Sequence, residues 1–141
     1  MHFTNMPTSI SDIEVSDELR PRVARQLGLP LEWDLAVDAL PPPKLSKVGN
    51  WCAMLCRLYR RVRPRKIGDR CAFEPSCSRY AEMSFRAFGL RSGMRLTINR
   101  LKRCNAQNGG LDLPPHLCGC FSQLEGKINE IQNREHRRSL Y

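Results

Sequence analysis

The residues of this chain that could do chemistry are seven cysteines, three histidines and 14 carboxylates, and their spacing decides what is open to them. Cys71 and Cys77 bracket a short stretch, Arg70 to Tyr80, that reads RCAFEPSCSRY. Cys52 and Cys56 are separated by three residues on a predicted helix, and Cys118 and Cys120 by one. None shows the C-x2-C spacing of a zinc ribbon or finger. Cys71, Cys77 and Cys104 fall on inward faces of neighbouring predicted elements, but three thiols without a fourth ligand fall short of a tetrahedral zinc set. They read as small core residues with soft sulfur packing, and no metal or cofactor is expected. A catalytic thiol needs a base. His2, His116 and His136 lie in predicted arms or loops, and none is paired by spacing with Cys71 or Cys77. Asp69, Glu74 and Glu82 are outnumbered by neighbouring arginines, which points to ion pairing rather than acid–base work. Gly89, Gly93, Gly109 and Gly110 fit neither phosphate-binding glycine pattern. Enzyme is the weakest class, and the chain is read as a non-enzyme.

The elements that must position these residues are helical. From Asn50 to Arg63, residues Trp51, Met54, Leu55, Leu58, Tyr59 and Val62 share one helix face, and Arg57, Arg60, Arg61 and Arg63 fall on the rest. Two readings fit. In one, this is an interfacial membrane helix, with Trp51 and Tyr59 at headgroup level and the arginines on anionic phosphates. In the other, the apolar face is core and the arginines are solvated. Pro64 ends the helix, and Arg65-Lys66 continues the positive run. Pro75-Ser76 starts the next helix, with Ser76 placed to accept a first-turn N–H. From Cys77, residues Tyr80, Ala81, Ser84, Phe85 and Phe88 describe its inner face, with Arg79, Glu82 and Arg86 opposite. Gly89 sits where a left-handed residue would end it. A further helix, about 90–103, places Leu90, Gly93, Met94, Thr97, Ile98, Leu101 and Cys104 inward, and Arg91, Arg95, Asn99 and Lys102 outward. The link at Gly89 is so short that an antiparallel or steeply crossed pair is expected.

The flanks are simpler. Residues 1–15 read as a frayed arm. A short helix with Ser16 as N-cap carries Leu19, Val23 and Leu27 and stops at Gly28 and Pro30. A second, Leu31 to Leu40, places Leu31, Leu35, Ala36 and Ala39 on one side. Pro41-Pro42-Pro43 reads as a stiff spacer and boundary. Asn105 to Leu117 reads as a loop. After Cys120, residues Phe121, Leu124, Ile128 and Ile131 define a last helix with a basic tail, Arg134 to Arg138. With no strand-period run of useful length, the class is all-α. The expected division is an acidic extension (1–43), a core (44–116) and a C-terminal helix with basic tail (117–141).

The net charge is +9, and it is unevenly placed: residues 1–49 carry −2 and residues 50–141 carry +11. Such a body attracts a polyanion: nucleic acid, an anionic lipid surface or an acidic partner. The acidic segment is also placed to fold back on the basic body and mask it. No apolar run approaches the ~20 residues that span a bilayer, so contact with a membrane is peripheral. The N-terminus lacks a signal peptide's basic start and apolar run, which makes a reducing compartment and free thiols the default. Arginines on three helices could track a phosphate backbone, but no helix-turn-helix, finger or aromatic sheet motif appears.

The run from Arg70 to Cys104, RCAFEPSCSRYAEMSFRAFGLRSGMRLTINRLKRC, resembles the core of the membrane protein insertion efficiency factor family, also called YidD-like and formerly labelled a haemolytic domain. The likeness rests on Cys71, Phe73, Pro75, Ser76, Cys77, Ser78, Tyr80, Ala81, Gly89, Gly93, Arg100, Leu101, Arg103, Cys104, Gly110, Asp112 and Pro115, with Leu58-Tyr59 ahead of them. It covers roughly residues 50–116. It implies a small protein without catalysis, peripheral to the inner membrane on its cytoplasmic side. Such a protein assists insertion of membrane proteins alongside an insertase or translocon. Carried over, the membrane-binding residues are Trp51, Met54, Leu55, Arg57, Leu58, Tyr59, Arg60, Arg61, Val62, Arg63, Arg65 and Lys66. The corner and helix pair are their scaffold. Departures are the basic run RRVRPRKIGDR where the family is mostly apolar, Ala72 for a basic residue, Phe88 for a histidine, and Asn105-Ala106 for His-Pro. The first of these exchanges deep burial for electrostatic attachment, each base near an anionic leaflet being worth about 1 kcal/mol. The alternative is a cytoplasmic nucleic-acid-binding or partner-binding module.

Overall fold

The computed structural model describes residues 14–44, 47–105, 107–115 and 120–139; the side chains of 120–124, 135–136 and 138–139 fall outside that description. The expected arm therefore lies almost wholly outside the described residues, as do Cys118, His2 and His116. The described elements are helices α1 (Arg20–Leu27), α2 (Glu32–Asp38), α3 (Val48–Val62), α4 (Arg65–Gly68), α5 (Cys77–Arg103) and α6 (Cys120–Ser139). Strands β1 (Phe73–Glu74) and β2 (Gly110–Leu111) pair in parallel, Phe73 opposite Gly110. The class is all-α, as expected. The strand pair had no sequence signal, because two residues cannot display an alternation.

Helix α5 is two limbs joined at Gly89, whose φ of 74° and ψ of −167° lie in a region essentially closed to residues with a Cβ. The chain folds back there, and Gly93 backs onto Phe85 so closely that an added Cβ would stand 2.8 Å from its ring. This is the expected crossed pair. Helix α3 lies against it. Gly49 is buried, and a Cβ there would stand 2.6 Å from the Phe85 carbonyl oxygen and 2.9 Å from the Gly89 Cα. The core between α3 and α5 is small: Ala53, Ala81 and Phe85, with Cys52 and Cys56 packed alongside.

The second core unites the two ends of the chain. Ala36, Val37, Leu40, Met83 and Ile128 pack together, flanked by Trp33, Leu113 and Ile131. The buried face of α2 differs from the expected one: Leu31, Ala36, Val37 and Leu40 are inside, while Leu35 is exposed. The helix is shorter than its pattern, so Leu31 and Leu40 pack from its two flanks. Helix α1 also starts later than Ser16. Leu19 is its N-cap residue, Pro21 stands in the first turn, and Gly28 (φ 70°) closes it as expected. Ser16 instead closes a turn, its carbonyl accepting from the Leu19 and Arg20 N–H groups.

The start of α5 is capped from a distance. Ser76 occupies the N-cap position, but its side chain makes no cap bond. Its own N–H donates to Asp34 Oδ1 of α2 at 2.8 Å, and the Cys77 N–H donates to Cys71 Sγ at 3.3 Å. Ser76 Oγ accepts from Arg79 Nη1 instead. The peptide bond between Glu74 and Pro75 is cis.

Candidate functional site

Helix α3 is amphipathic in the expected register, but its apolar face is not core. Trp51, Leu55, Leu58, Tyr59 and Val62 are all exposed, Leu55 at 61% and Val62 at 72%. Only Met54 of the six is half-buried. The buried side is built from Gly49 and Ala53, with Cys56, Arg57 and Arg60 beside them. Small residues let α3 approach α5 closely, and that contact needs none of its large apolar side chains. The reading of this face as core is overturned.

The second limb of α5 repeats the arrangement. Gly93 and Arg100 are its buried residues, with Thr97 and Cys104 half-buried on the same stripe. Leu90, Met94, Ile98 and Leu101, expected inward, are exposed. The inward stripe has the predicted helical spacing but is narrow, widened only where Leu96 is half-buried beside Thr97. The apolar residues that flank it face out.

Between these two helices lies an open groove of about 610 Å³. Leu55 and Tyr59 line it from α3, Leu101 and Thr97 from α5, and Ile67 and Arg63 also belong to its lining. Exposed Val48, Trp51, Leu58 and Val62 extend the apolar surface along α3. A contiguous exposed apolar surface marks an interaction site. Arg63 lies over the Tyr59 ring at 5.7 Å, and Arg61, Arg65, Lys66 and Arg70 are exposed nearby.

The groove's lining includes three sulfurs. Cys71, Cys77 and Cys104 come from the corner, the start of α5 and its end, and their Sγ atoms lie within 4.8 Å of one another. Cys71 Sγ is 3.3 Å from Cys77 Sγ and 3.9 Å from Cys104 Sγ. The hydrogen bond with Cys77 lowers the Cys71 thiol below its ordinary value, against the opposing push of burial. Cys77, as the partner that keeps its proton and by its own burial, is shifted up. Cys56, by contrast, is pushed up to about 11 by burial.

Beside the sulfurs stands a box around Arg100, which is fully buried. Its guanidinium lies 4.2 Å from the Tyr80 ring centre and 4.9 Å from that of Phe73. Its Nη2 donates to the Pro75 carbonyl at 2.6 Å, and Asp112 Oδ2 stands 3.6 Å from its Nε. Among the described residues, Nε and Nη1 have no hydrogen-bond partner. Burial lowers the basicity of this guanidinium. Of the scaffold residues named from the sequence, Phe73, Pro75, Tyr80, Arg100 and Asp112 thus meet at one point, and Cys71, Cys77 and Cys104 at another. Ser78 lines the groove; Ser76 and Gly89 act at the cap and the hinge.

Two of the expected membrane-binding residues point elsewhere. Arg57 Nε donates to Glu82 Oε1 at 2.6 Å, and Arg60 Nη2 to Glu82 Oε2 at 2.5 Å. Arg86 Nη2 reaches Glu82 Oε1 at 2.6 Å. Glu82, expected on an outer face, is fully buried beneath these three cations. Arg57 and Arg60 are therefore structural, and the outward basic residues are Arg61, Arg63, Arg65 and Lys66. Arg57 and Arg86 also donate to the Leu40 and Pro41 carbonyls, which holds the proline run against the body. Asp34 and Asp38 of α2 complete the cluster. Asp34 pairs with Arg25 at 2.9 Å and Arg79 at 3.3 Å, and Asp38 with Arg79 and Arg60. The acidic segment does fold back on basic side chains, on the flank where α2 meets α5. The one sequence signal for this cluster is Glu82 four residues before Arg86; the long-range partners leave none.

Fold and site together define a small basic helical protein that presents an apolar groove between two helices. The family model described as "Putative membrane protein insertion efficiency factor" matches residues 48–115. A protein of that name from Salinibacter ruber is 41% identical over 73 residues, 51% of this chain and 69% of its own length. One from Leptospira interrogans is 37% identical over 74 residues, 51% of this chain and 100% of its own. A 7.9 kDa protein of the int-C1 intergenic region of Haemophilus phage HP1 is 48% identical over 65 residues, 46% of this chain and 96% of its own. The chain belongs to the membrane protein insertion efficiency factor family. No solved structure matches it significantly. The matched segment holds α3, the corner, α5 and β2, and so the whole groove.

Proposed function

We propose that this chain is a peripheral factor that helps integral membrane proteins insert, working at the cytoplasmic face of the inner membrane beside an insertase or translocon. The carrying observation is the exposed apolar face of α3. Burying such side chains is worth about 1.5–3 kcal/mol each, so a face of five is a strong sink for lipid or an apolar segment. Arg61, Arg63, Arg65 and Lys66 supply attraction to anionic headgroups. No described helix is long and apolar enough to cross a membrane, which suits attachment at the surface. The family name supports the insertion role. Nucleic acid is the weaker partner, because Arg25, Arg57, Arg60, Arg79, Arg86 and Arg100 are committed to internal contacts.

The test uses Trp51 as its own reporter. In a Trp33→Phe background, vesicles containing an anionic lipid at low salt shift Trp51 fluorescence to the blue and carry the protein into the pellet. Neutral vesicles do so less. A protein that stays in the supernatant with an unshifted Trp51 sinks the membrane reading, and tighter binding to duplex or RNA of equal charge replaces it.

A further inference from the structure

We propose that Cys71, Cys77 and Cys104 form a three-thiolate site for a thiophilic divalent ion, tested here as Zn2+, with its fourth position open to the groove. Three features carry this, and none depends on the membrane reading.

The first is size. Two sides of the sulfur triangle measure 3.3 and 3.9 Å, and the third is no longer than 4.8 Å. The point equidistant from the three sulfurs is then no farther than about 2.4 Å from each, against about 2.3 Å for a zinc–thiolate bond. An ion fits with almost no movement of its ligands.

The second is origin. The three cysteines come from the corner before α5, its first residue and the residue just after its last. Simple packing could use any small apolar residue at each position. Here all three are thiols in mutual contact, and among the described residues no other group of three or more ligating side chains gathers in this way.

The third is charge. Zn2+ on three thiolates carries a net charge of −1, which a buried site must balance. Arg100 is fully buried beside the sulfurs, and its Nε and Nη1 have no hydrogen-bond acceptor among the described residues. A thiolate complex gives that buried guanidinium a counter-charge beyond Asp112. Binding forms three metal–sulfur bonds and releases the remaining thiol protons to solvent; no oxidant or reductant is involved. Soft thiolate ligands select zinc over magnesium or calcium. Three protein ligands and one open position is the pattern of a zinc that accepts an exchangeable ligand. The ion would also tie both ends of the folded α5 to the corner, fixing the floor of the groove.

The experiment takes the full chain, reduced and freed of metal with a chelator. Titration with Zn2+ against a chromophoric competitor gives one ion per chain, and Co2+ in its place gives a thiolate charge-transfer band with a tetrahedral visible spectrum. Cys104→Ser weakens Zn2+ binding by at least about a hundredfold. Cys52→Ser and Cys56→Ser leave it within about twofold, since neither thiol belongs to the triangle. A footprint on the unmutated chain guards against misfolded variants: Zn2+ protects Cys71, Cys77 and Cys104 together from alkylation and leaves the rates at Cys52 and Cys56 unchanged. Absence of stoichiometric binding overturns the proposal. So does binding that survives Cys104→Ser but is lost when Cys118 and Cys120 are replaced, and so does a footprint confined to Cys52 and Cys56.

Discussion

The two sides of α3 make opposite use of their side chains. Facing α5, the helix offers glycine, alanine and arginine, and its charged groups are closed off by Glu82 and by Asp38 of α2. Facing away, it offers tryptophan, leucine and valine to solvent. A surface helix of a globular protein normally does the reverse. The inner side is complete within the chain, since its ions are paired and its glycines are closed on. The outer side leaves its apolar side chains exposed, and the proposed function gives them an apolar cover. Stability and binding should therefore separate cleanly between the two sides.

The strongest way to break the comparison is at Glu82. Glu82→Gln leaves Arg57, Arg60 and Arg86 without their shared carboxylate in a buried setting. Removing one partner of a buried ion pair costs about 3–5 kcal/mol. The unfolding free energy, extrapolated from denaturant titration, should fall by that amount, or the variant should fail to fold. A loss under about 1 kcal/mol would mean that the cluster is solvated and the inner side is not closed. Next comes Gly49→Ala. On an open helix surface this change gains about 1 kcal/mol. Here the new Cβ meets backbone atoms of Phe85 and Gly89, so the sign should invert to a loss of about 1–3 kcal/mol. Stabilisation would show that α3 and α5 are less tightly apposed.

The outer side should respond in the other way. Leu55→Asp with Leu58→Asp removes two exposed side chains and should change unfolding stability by about 1 kcal/mol or less. Its affinity for anionic vesicles should drop about a hundredfold or more, from two lost apolar burials. Equal losses in stability and binding would erase the distinction between the faces.

How much of this was legible depends on range. The α3 face, the Gly89 hinge and the crossed limbs could be read because they rest on helical period and on one glycine. Which side of α3 is buried could not be read, since period gives a face and not its direction. The clue lay in Gly49 and Ala53, small residues on the supposed polar side. Glu82 pairs with arginines as expected, but its burial, and that of Asp34, could not be read for a related reason. A carboxylate facing outward on its own helix can still be buried by segments far along the chain, here α3 for Glu82 and the corner for Asp34. The sulfur triangle joins positions up to 33 apart, and its separate cysteines carry no paired spacing.

The smallest effect tests how the acidic segment is held on the inner side. Glu74 Oε1 accepts the Trp33 N–H at 3.0 Å, tying α2 to β1. Burial raises the Glu74 pKa above its ordinary value, with the Trp33 bond opposing that shift. An acid whose folded pKa is raised holds its proton in the native state at a pH where the unfolded chain has released it. Its contribution to stability is thus greatest below the unfolded pKa and declines as pH rises from there through the folded value. Glu74→Gln keeps an oxygen acceptor for Trp33 and removes the titration. The variant should match the parent at low pH and be slightly more stable above the raised pKa, with a flatter pH dependence between. Unfolding midpoints measured from pH 4 to pH 8 check this. A variant that is less stable at pH 7 by more than about 1 kcal/mol would instead mean that the ionised carboxylate, and not merely its oxygen, holds the N-terminal segment in place.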